Sequence, residues 1–302
     1  MKNLKKELRN HWQLFVLIIP ALIYLIIFCY IPIAGIVIAF KEYDPVLGIF
    51  GSPNVGMDKF KMFFDSYYFT TTIINTLAIS VGSLIVNSIF PVLLALLINE
   101  VPNQKFKKVV QTISYAPYFI SLVVLVGMFN MFLNSSGLLN DVIVTMFNVD
   151  PVDFLGNPKY FRWIYIFTGL WQGIGWWSII YVGALSNVDM ALHEAATIDG
   201  ASRLQRIRHI NLPAIRPTFI IMLIMAFGSL MSVGFEKVYL MQNSANLEVS
   251  EVISTYSYKV SFLTVKDFSF GTAVGLFNTV INLILLVSAN YISNKVNDEG
   301  LF

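Results

Sequence analysis

Long apolar stretches recur along this 302-residue chain, and each is long enough to cross a lipid bilayer. A spanning helix needs about 20 mostly apolar residues, and its backbone amides must pair internally because lipid offers them no partner. Only 13% of the residues are charged, about half the share found in soluble domains. The sequence therefore predicts an all-α membrane protein. Its six transmembrane helices are expected at about 14–40, 73–98, 113–133, 163–185, 214–235 and 272–292.

The distribution of basic residues predicts the orientation of these helices, because cytoplasmic loops carry the excess of Lys and Arg. With the N-terminus inside, the inner segments hold 12 Lys and Arg and the outer segments hold 7. The inner segments are 1–11, 99–112, 187–217 and 294–302, and the outer segments are 41–69, 134–160 and 236–268. We therefore expect a cytoplasmic N-terminal segment (1–11), a six-helix transmembrane domain (12–293) and a cytoplasmic tail (294–302).

The hydrophilic segment 187–217, between spans four and five, is patterned as a helical hairpin. Good helix formers precede Gly200, and Ser202 is a suitable N-cap for a second short helix that ends near Asn211. Gly200 supplies the backbone freedom for the reversal between the two helices. Pro213 then fits the start of the fifth span, where a missing amide costs little.

The second short helix carries Leu204, Ile207 and Ile210, which are spaced by three and so share one side. Arginine and histidine residues surround them. This pattern predicts an apolar knob for a soluble cytoplasmic partner with an apolar groove and an acidic rim. An ordinary loop that anchors lipid headgroups is the alternative on charge alone.

The whole segment resembles the EAA coupling loop of permease subunits in binding-protein-dependent ABC importers. The matching residues are Glu194, Ala195, Ala196, Asp199, Gly200, Ala201, Ile210, Leu212, Pro213 and Pro217. Segments 40–45, 51–56, 234–240 and 272–278 are similar to the carbohydrate-uptake branch of these permeases, especially its complex-oligosaccharide subgroup. The resemblance implies a type I importer fold, with Leu204 and Ile207 also in the coupling helix.

The resemblance also implies partners in and around a bacterial inner membrane. They are a second six-helix permease subunit, two cytoplasmic ATP-binding subunits and an extracytoplasmic solute-binding protein, with lipid around the spans and no nucleic acid. Glu194 would pair with a basic residue of the ATPase. The sequence has no phosphate-binding Gly-rich loop. We therefore expect that this chain is not an enzyme and has no cofactor, catalytic or metal site. ATP and Mg are expected to be used by the partner ATPase.

A sugar pathway needs aromatic platforms and amide or hydroxyl partners. The candidate residues lie in the fourth span, at the outer end of the fifth and in the sixth: Trp171, Gln172, Trp176, Trp177, Glu236, Tyr239, Asn278 and Asn282. Helix packing is the alternative for the tryptophans, and hydrogen bonding between helices is the alternative for the asparagines. Glu236 lies at the interface in either case.

Other functions remain open at this stage. An ABC permease for a non-sugar solute has the same coupling loop. An ion-coupled carrier usually shows a buried carboxylate or a repeat between its halves, and the sequence shows neither. An integral membrane enzyme needs ionisable groups clustered near one membrane face, which are also missing from the sequence.

Overall fold

The structure, a computed structural model, describes residues 11–297 and 300–301, without the side chains of residues 296 and 297. The basic residues of the predicted segment 1–11, and residues 298, 299 and 302 of the predicted tail 294–302, lie outside this part of the chain. Within it the chain is helical and carries no β-strand, apart from one isolated bridge between Lys41 and Asn54.

The described helices follow one another with short connections. In chain order they are α1 (Trp12–Phe40), α2 (Gly48–Gly51), α3 (Asp58–Phe64), α4 (Phe69–Asn99), α5 (Gln104–Tyr115), α6 (Leu122–Leu133), α7 (Leu138–Phe147), α8 (Pro158–Ser186), α9 (Met190–Ile198), α10 (Arg203–Phe227), α11 (Phe235–Met241), α12 (Leu247–Ser250), α13 (Ile253–Tyr258) and α14 (Phe268–Asn297). A 3-10 turn (Ala116–Phe119) follows α5, and a π-turn (Lys259–Thr264) extends α13.

Five helical segments among the described residues are long and apolar enough to cross a membrane by length and composition. They are Trp12–Phe40, Phe69–Asn99, Leu122–Phe147, Arg203–Phe227 and Phe268–Lys295. The predicted fourth span lies in α8, whose 29 residues extend about 43 Å and so exceed the bilayer core. Its hydropathy is lower because Trp, Gly and Gln residues interrupt the aliphatic ones. Ten of its residues are buried inside the protein.

The chain divides into two compact units. The first comprises residues up to Ser66 together with Ser257–Phe277. Its core contains Ala39, Phe60 and Ala273, and Phe63 meets Phe270 edge-on at 6.1 Å between ring centroids. A buried lysine forms two ion pairs within this unit.

That lysine, Lys59, is only 7% exposed. Its Nζ lies 2.7 Å from Glu42 Oε2 and 2.8 Å from Asp267 Oδ2. Burial opposes the charge, but the hydrogen bonds and charges of the two carboxylates prevail and raise the pKa of Lys59. The ion pairs therefore join the first outer loop to the segment that precedes α14.

The second unit comprises Tyr67–Tyr256 and residues from Asn278 onward. Its larger apolar core is built from α4, α6, α8 and α11, with Ile79, Leu125, Phe161 and Val238 almost fully buried. A second cluster near the hairpin joins α4, α8 and α10. These two clusters hold the helices on which the candidate sites lie.

Two predicted spans differ from the structure. The predicted helix 113–133 is interrupted, because α5 ends at Tyr115, a 3-10 turn holds Pro117 and the backbone is extended at Ile120 and Ser121. The predicted fifth span also ends early, at Phe227 instead of residue 235. Turns and extended residues follow up to Gly234, so the outer end of this span is non-helical.

Pro213 lies in the first turn of the α-helical segment Leu212–Phe227, as predicted, but no break separates this segment from the preceding turns. Residues Arg203–Phe227 are one continuous helix that contains a π-turn at Ile207–Asn211. Proline clashes with the carbonyl four residues earlier, here His209, and the wider π-turn relieves that clash. A π-turn likewise precedes Pro32 in α1, at Ile26–Tyr30.

Candidate functional sites: the helical hairpin and a polar cavity

The hairpin formed by α9 and the start of α10 is braced by local hydrogen bonds. Asp189 caps α9 through the backbone amide of Ala191, at 2.9 Å. Gly200 has φ +76°, a left-handed conformation that glycine adopts without strain. Ser202 and Gln205 form a reciprocal capping box at the start of α10. The predicted reversal at Gly200 and N-cap at Ser202 are therefore confirmed.

A side-chain bond also joins the two arms of the hairpin. Arg206 Nη1 donates to Thr197 Oγ1 at 2.8 Å. Glu194 and Asp199 are both exposed, while Ala196 and Ala201 are half-buried between the arms and the rest of the protein. The arms therefore form one rigid element that presents its carboxylates to solvent.

The predicted apolar face of Leu204, Ile207 and Ile210 is wrong in its geometry. Leu204 is 73% exposed, but Ile207 packs against the cluster of Leu96, Tyr181 and Ile215, and Ile210 is half-buried. The helix α10 continues without a break from Arg203 to Phe227, and the side that carries Ile207 turns toward α4 and α8. The exposed apolar surface is formed instead by Met190, Leu192, Ile198 and Leu204.

The base of the hairpin is tied to the end of α4. Asn211 is fully buried, and its Nδ2 donates to Glu100 Oε1 at 3.4 Å. Leu212, Pro213 and Pro217 follow on the exposed side of α10. The hairpin is therefore continuous with α10 and hydrogen-bonded to Glu100, the residue that follows α4.

A cavity of about 420 Å³ lies between α4, α8 and α10. This volume is within the range of small-molecule sites, about 300–1,000 Å³. Its polar wall combines hydroxyl, amide and aromatic groups without a charged side chain. These groups are Ser80, Ser83, Asn87, Ser88, Tyr165, Trp177, Tyr181, Ser229 and Ser232. The remainder of the wall is apolar and includes two methionines, Met222 and Met225.

The polar residues of α4 were not anticipated as pathway residues. Ser80, Ser83, Asn87 and Ser88 fall at spacings of three, four and one, so they lie along one face of the helix. A stripe of polar side chains at helical spacing in an otherwise apolar span is the sequence signal that could have identified them. A pathway predicted from aromatic residues and from the asparagines of the sixth span does not include this stripe.

The four predicted residues of α8 point to different places. Trp177 lines the cavity, whereas Trp176 stacks on Tyr118 with ring centroids 4.4 Å apart. Trp171 meets Phe129 edge-on at 5.8 Å, and Gln172 donates to the carbonyl of Ile120 at 3.0 Å. Three of them therefore hold the broken third span against α8.

Two glycines, Gly173 and Gly175, lie beside these tryptophans in α8. At Gly175 an added Cβ would clash with the carbonyl of Ser114 in α5. At Gly173 the neighbour is the ring of Trp177, at 3.1 Å from the added atom. Glycine at 175 therefore lets α5 pack directly on α8.

The predicted asparagines of α14 do not line the cavity. Asn282 Oδ1 accepts from the backbone amide of Met231 at 2.9 Å, and its Nδ2 donates to Ser232 Oγ at 2.9 Å. It therefore fastens the non-helical segment after α10, and five residues of that segment line the cavity: Ser229, Leu230, Ser232, Val233 and Gly234. Asn278 is half-buried, and its Oδ1 has no hydrogen-bond partner among the described residues.

Glu236 and Tyr239 also lie outside the cavity wall. Both are exposed on α11, where Tyr239 stacks with Phe235 at 5.5 Å between ring centroids. The described residues contain no group of three or more His, Cys, Asp or Glu side chains that could hold a metal ion.

A buried lysine that does not line the cavity contacts Tyr165, a residue of the cavity wall. Lys237 in α11 is 7% exposed. Its Nζ donates to the carbonyl oxygen of Tyr165 at 2.8 Å and lies 4.4 Å from the centroid of the Tyr165 ring. Burial lowers the pKa of Lys237 to about 7. In the sequence, Lys237 follows Glu236 in a segment expected at the interface, so no sequence pattern indicates that it is buried.

The chain matches known proteins along nearly its whole length. Residues 89–298 match the family model described as the binding-protein-dependent transport system inner membrane component. Protein LplB of Bacillus subtilis is 41% identical over 97% of this chain and 92% of its own length. The polygalacturonan/rhamnogalacturonan transport system permease protein YteP, also of Bacillus subtilis, is 41% identical over 100% of this chain and 94% of its own.

A solved structure has the same fold. It is a chain of a bacterial ABC transporter involved in the import of the acidic polysaccharide alginate. That chain is 38% identical, with a TM-score of 0.88 over 98% of this chain and 99% of its own. The same transporter in complex with an alginate pentasaccharide-bound periplasmic protein gives a TM-score of 0.88 at 37% identity.

Proposed function

Since this chain belongs to the family of binding-protein-dependent transport system inner membrane components, we propose that it carries acidic oligosaccharides across the inner membrane. It is a non-enzymatic permease subunit of an ATP-driven carbohydrate importer. The all-helical type I permease fold is shared with the alginate transporter. The finer assignment, to sugars that bear carboxylates, is supported by the substrates named for YteP and for that transporter.

The cavity between α4, α8 and α10 supports a sugar pathway in this subunit. Its wall places an indole, two tyrosines, one amide and several serine hydroxyls around about 420 Å³. Aromatic faces pack on the apolar faces of a sugar ring, and the hydroxyls and the amide hydrogen-bond with its edges. This cavity is the single observation that supports a sugar pathway in this subunit.

The hairpin would be the contact with the ATPase. Its exposed side chains, Glu194 and Asp199 with Ile198 and Leu204 beside them, offer two carboxylates and an apolar knob. The remaining residues of the coupling pattern, Ala195, Ala196, Gly200, Ala201, Ile207, Ile210, Leu212 and Pro213, would hold this surface in shape. Closing of the ATPase dimer would then move α10 and change the shape of the cavity.

The assembly would contain one copy of this chain, a second six-helix permease and two cytoplasmic ATP-binding subunits. An extracytoplasmic binding protein would deliver the sugar. ATP and Mg would be used by the partner subunits only. Both termini and the hairpin would be cytoplasmic, as the distribution of basic residues predicts.

The proposal is tested by reconstituting the complete importer with its binding protein in liposomes. We expect ATP-dependent uptake of uronate oligosaccharides of two to five residues, and much slower uptake of neutral oligosaccharides of the same length. Omission of the ATP-binding subunits should abolish uptake of both. Equal or faster uptake of the neutral sugars would overturn the acidic class, and uptake that persists without the ATPase would overturn the transport mechanism.

A further inference from the structure

The wall of the cavity is uncharged, yet one buried cation contacts it. None of the side chains that line the cavity is ionised at neutral pH. Tyr165 belongs to that wall, and its hydroxyl hydrogen-bonds with the backbone of Gly234, which also lines the cavity. The ammonium of Lys237 lies over the ring of the same tyrosine. Tyr165 therefore separates a buried charge from the space proposed for the sugar.

Lys237 is unusual among buried lysines because its partners in the described part of the chain are not acidic. Its hydrogen bond goes to a main-chain carbonyl, and its second contact is the aromatic face of Tyr165. By contrast, Lys59 in the other unit is buried against two carboxylates. A buried ammonium without a counter-ion is costly, so its charge is available to attract an anion.

No described contact of Lys237 is with a carboxylate. The segment 247–252 also packs against α11 and carries Glu248 and Glu251, of which Glu251 is buried and accepts from Thr255 Oγ1 at 2.6 Å. The helix α6, which packs against α11, carries no titratable side chain over Leu122–Leu133. On α8 the lysine faces Tyr165 and Gly169, and the nearest charged residue along that helix is Arg162, which donates to Asn75. On α11 itself Glu236 is exposed to solvent.

We propose that Lys237, acting through Tyr165, is the residue that makes the cavity prefer carboxylate-bearing sugars over uncharged ones. It is a specificity-determining residue that does not touch the sugar. The wall supplies contacts that any sugar can use, and the ammonium behind Tyr165 adds an attraction that only an anionic sugar experiences. This inference rests on the proposed function, because it assumes that the sugar passes through this cavity.

The expected strength of the preference for the acidic sugar follows from Coulomb attraction through the protein interior. Two unit charges about 8–10 Å apart at an effective dielectric near 20 attract enough to change a rate or an affinity by roughly tenfold or more. The pKa of Lys237, lowered to about 7 by burial, gives the effect a pH dependence. Uronate carboxylates stay ionised between pH 6 and 8, whereas Lys237 loses its proton as the pH rises through this range. Preference for the acidic sugar should therefore fall with rising pH.

The experiment uses the complete importer in liposomes, with trigalacturonate and its uncharged methyl ester as probes at concentrations that saturate the binding protein. The measured quantity is the ratio of acid to ester uptake. We expect the ratio to fall about tenfold in Lys237→Gln, mainly through slower uptake of the acid. Lys237→Arg, whose charge does not titrate, should keep the ratio. The matched control is Lys159→Gln, since Lys159 is exposed and also lies over a tyrosine ring, that of Tyr160.

The pH profile separates selectivity from a structural role. Between pH 6 and 8 the ratio should decline in the native protein and stay flat in Lys237→Arg. An unchanged ratio in Lys237→Gln, an equal loss of acid and ester uptake, or a native ratio independent of pH would each overturn the proposal. If Lys237→Gln does not assemble, the native and Lys237→Arg profiles still decide. A native ratio near one at every pH would instead overturn the acidic class of the proposed function.

Discussion

The helical hairpin and the polar cavity are built in opposite ways. The hairpin is held by hydrogen bonds between residues at most nine positions apart, such as Arg206 to Thr197. The cavity is assembled from three helices, with Ser80 and Ser232 more than 150 positions apart facing the same space. Local bracing lets the hairpin move as a unit, whereas the cavity changes shape whenever one helix shifts. This difference fits the roles proposed for the two regions, the hairpin as the coupling element and the cavity as the sugar pathway.

The largest expected effect is at the turn of the hairpin. Gly200→Pro cannot keep φ near +76°, because the proline ring fixes φ near −65°. Since the left-handed conformation already costs an ordinary residue about 1–2 kcal/mol, the arms should separate and uptake should fall by at least about tenfold. Basal ATP hydrolysis and membrane insertion should persist.

Uptake and ATP hydrolysis by the reconstituted importer measure this uncoupling. Gly183→Ala is the matched control, because Gly183 lies in α8 with free space for a Cβ. Normal coupling of uptake to ATP hydrolysis in Gly200→Pro would contradict the assignment of the hairpin as the coupling element.

The neighbouring tryptophans of α8 give the next largest contrast. Trp177→Ala removes an aromatic face from the cavity, and we expect uptake per assembled complex to fall about five- to tenfold, as a lost aromatic contact of about 1–1.5 kcal/mol implies. Trp176→Ala removes the stacking on Tyr118. It should lower the Tm of the purified complex and leave uptake per complex nearly unchanged.

Uptake normalised to assembled complex, and thermal unfolding in detergent, separate the two variants. If both variants lowered uptake equally, the assignment of the cavity as the sugar pathway would be contradicted, and Trp177 would be a packing residue like Trp176.

A smaller effect is expected at the link between α14 and the segment after α10. Asn282→Ala leaves the buried amide of Met231 without its acceptor, which costs about 1–3 kcal/mol. The Tm of the complex should fall, and the cavity should become less well defined. Asn278→Ala is the control, since the Oδ1 that it removes has no partner among the described residues. A larger loss of Tm in Asn278→Ala than in Asn282→Ala would reverse this assignment.

The smallest effect is expected at the cap of the hairpin. Ser202→Ala removes the side-chain oxygen that accepts from the Gln205 amide, a loss of about 1 kcal/mol. Coupling should weaken by a few-fold at most, and Ser202→Thr should restore it. Because both variants leave the cavity intact, the ratio of acid to neutral sugar uptake should not change. A change in that ratio would mean that the hairpin and the cavity are not separable.

Sequence reasoning succeeded where the determinants are local. The turn at Gly200 and the cap at Ser202 each depend on one residue and its immediate neighbours, so composition and spacing were enough. The helical class followed from the demand of lipid for internally paired amides. The early end of α10 and the break at Ser121 were missed because they depend on tertiary partners, such as Asn282 for the amide of Met231.

The cavity was predicted only in part for the same reason. Trp176 and Trp177 are adjacent and chemically identical, and only the packing of α5 and α6 on α8 decides which of them meets the cavity. Ile207 satisfied the spacing of an exposed face, yet α10 continues without a break and turns it inward. Lys237 carried no sequence signal, because its importance comes from the ring of a residue 72 positions away.

The most direct test of the central claim is the accessibility of the hairpin to a membrane-impermeant thiol reagent. The native Cys29 is replaced by alanine, and Ile198→Cys places a thiol at an 87% exposed position of the hairpin. Val46→Cys, at a 91% exposed position of the first outer loop, is the control. We predict that Ile198→Cys reacts only in inverted vesicles and is protected by the ATP-binding subunits, while Val46→Cys reacts in cells with a permeabilised outer barrier and an intact inner membrane. Labelling of Ile198→Cys from outside, or no protection by the ATPase, would contradict the assignment of this hairpin as the coupling element.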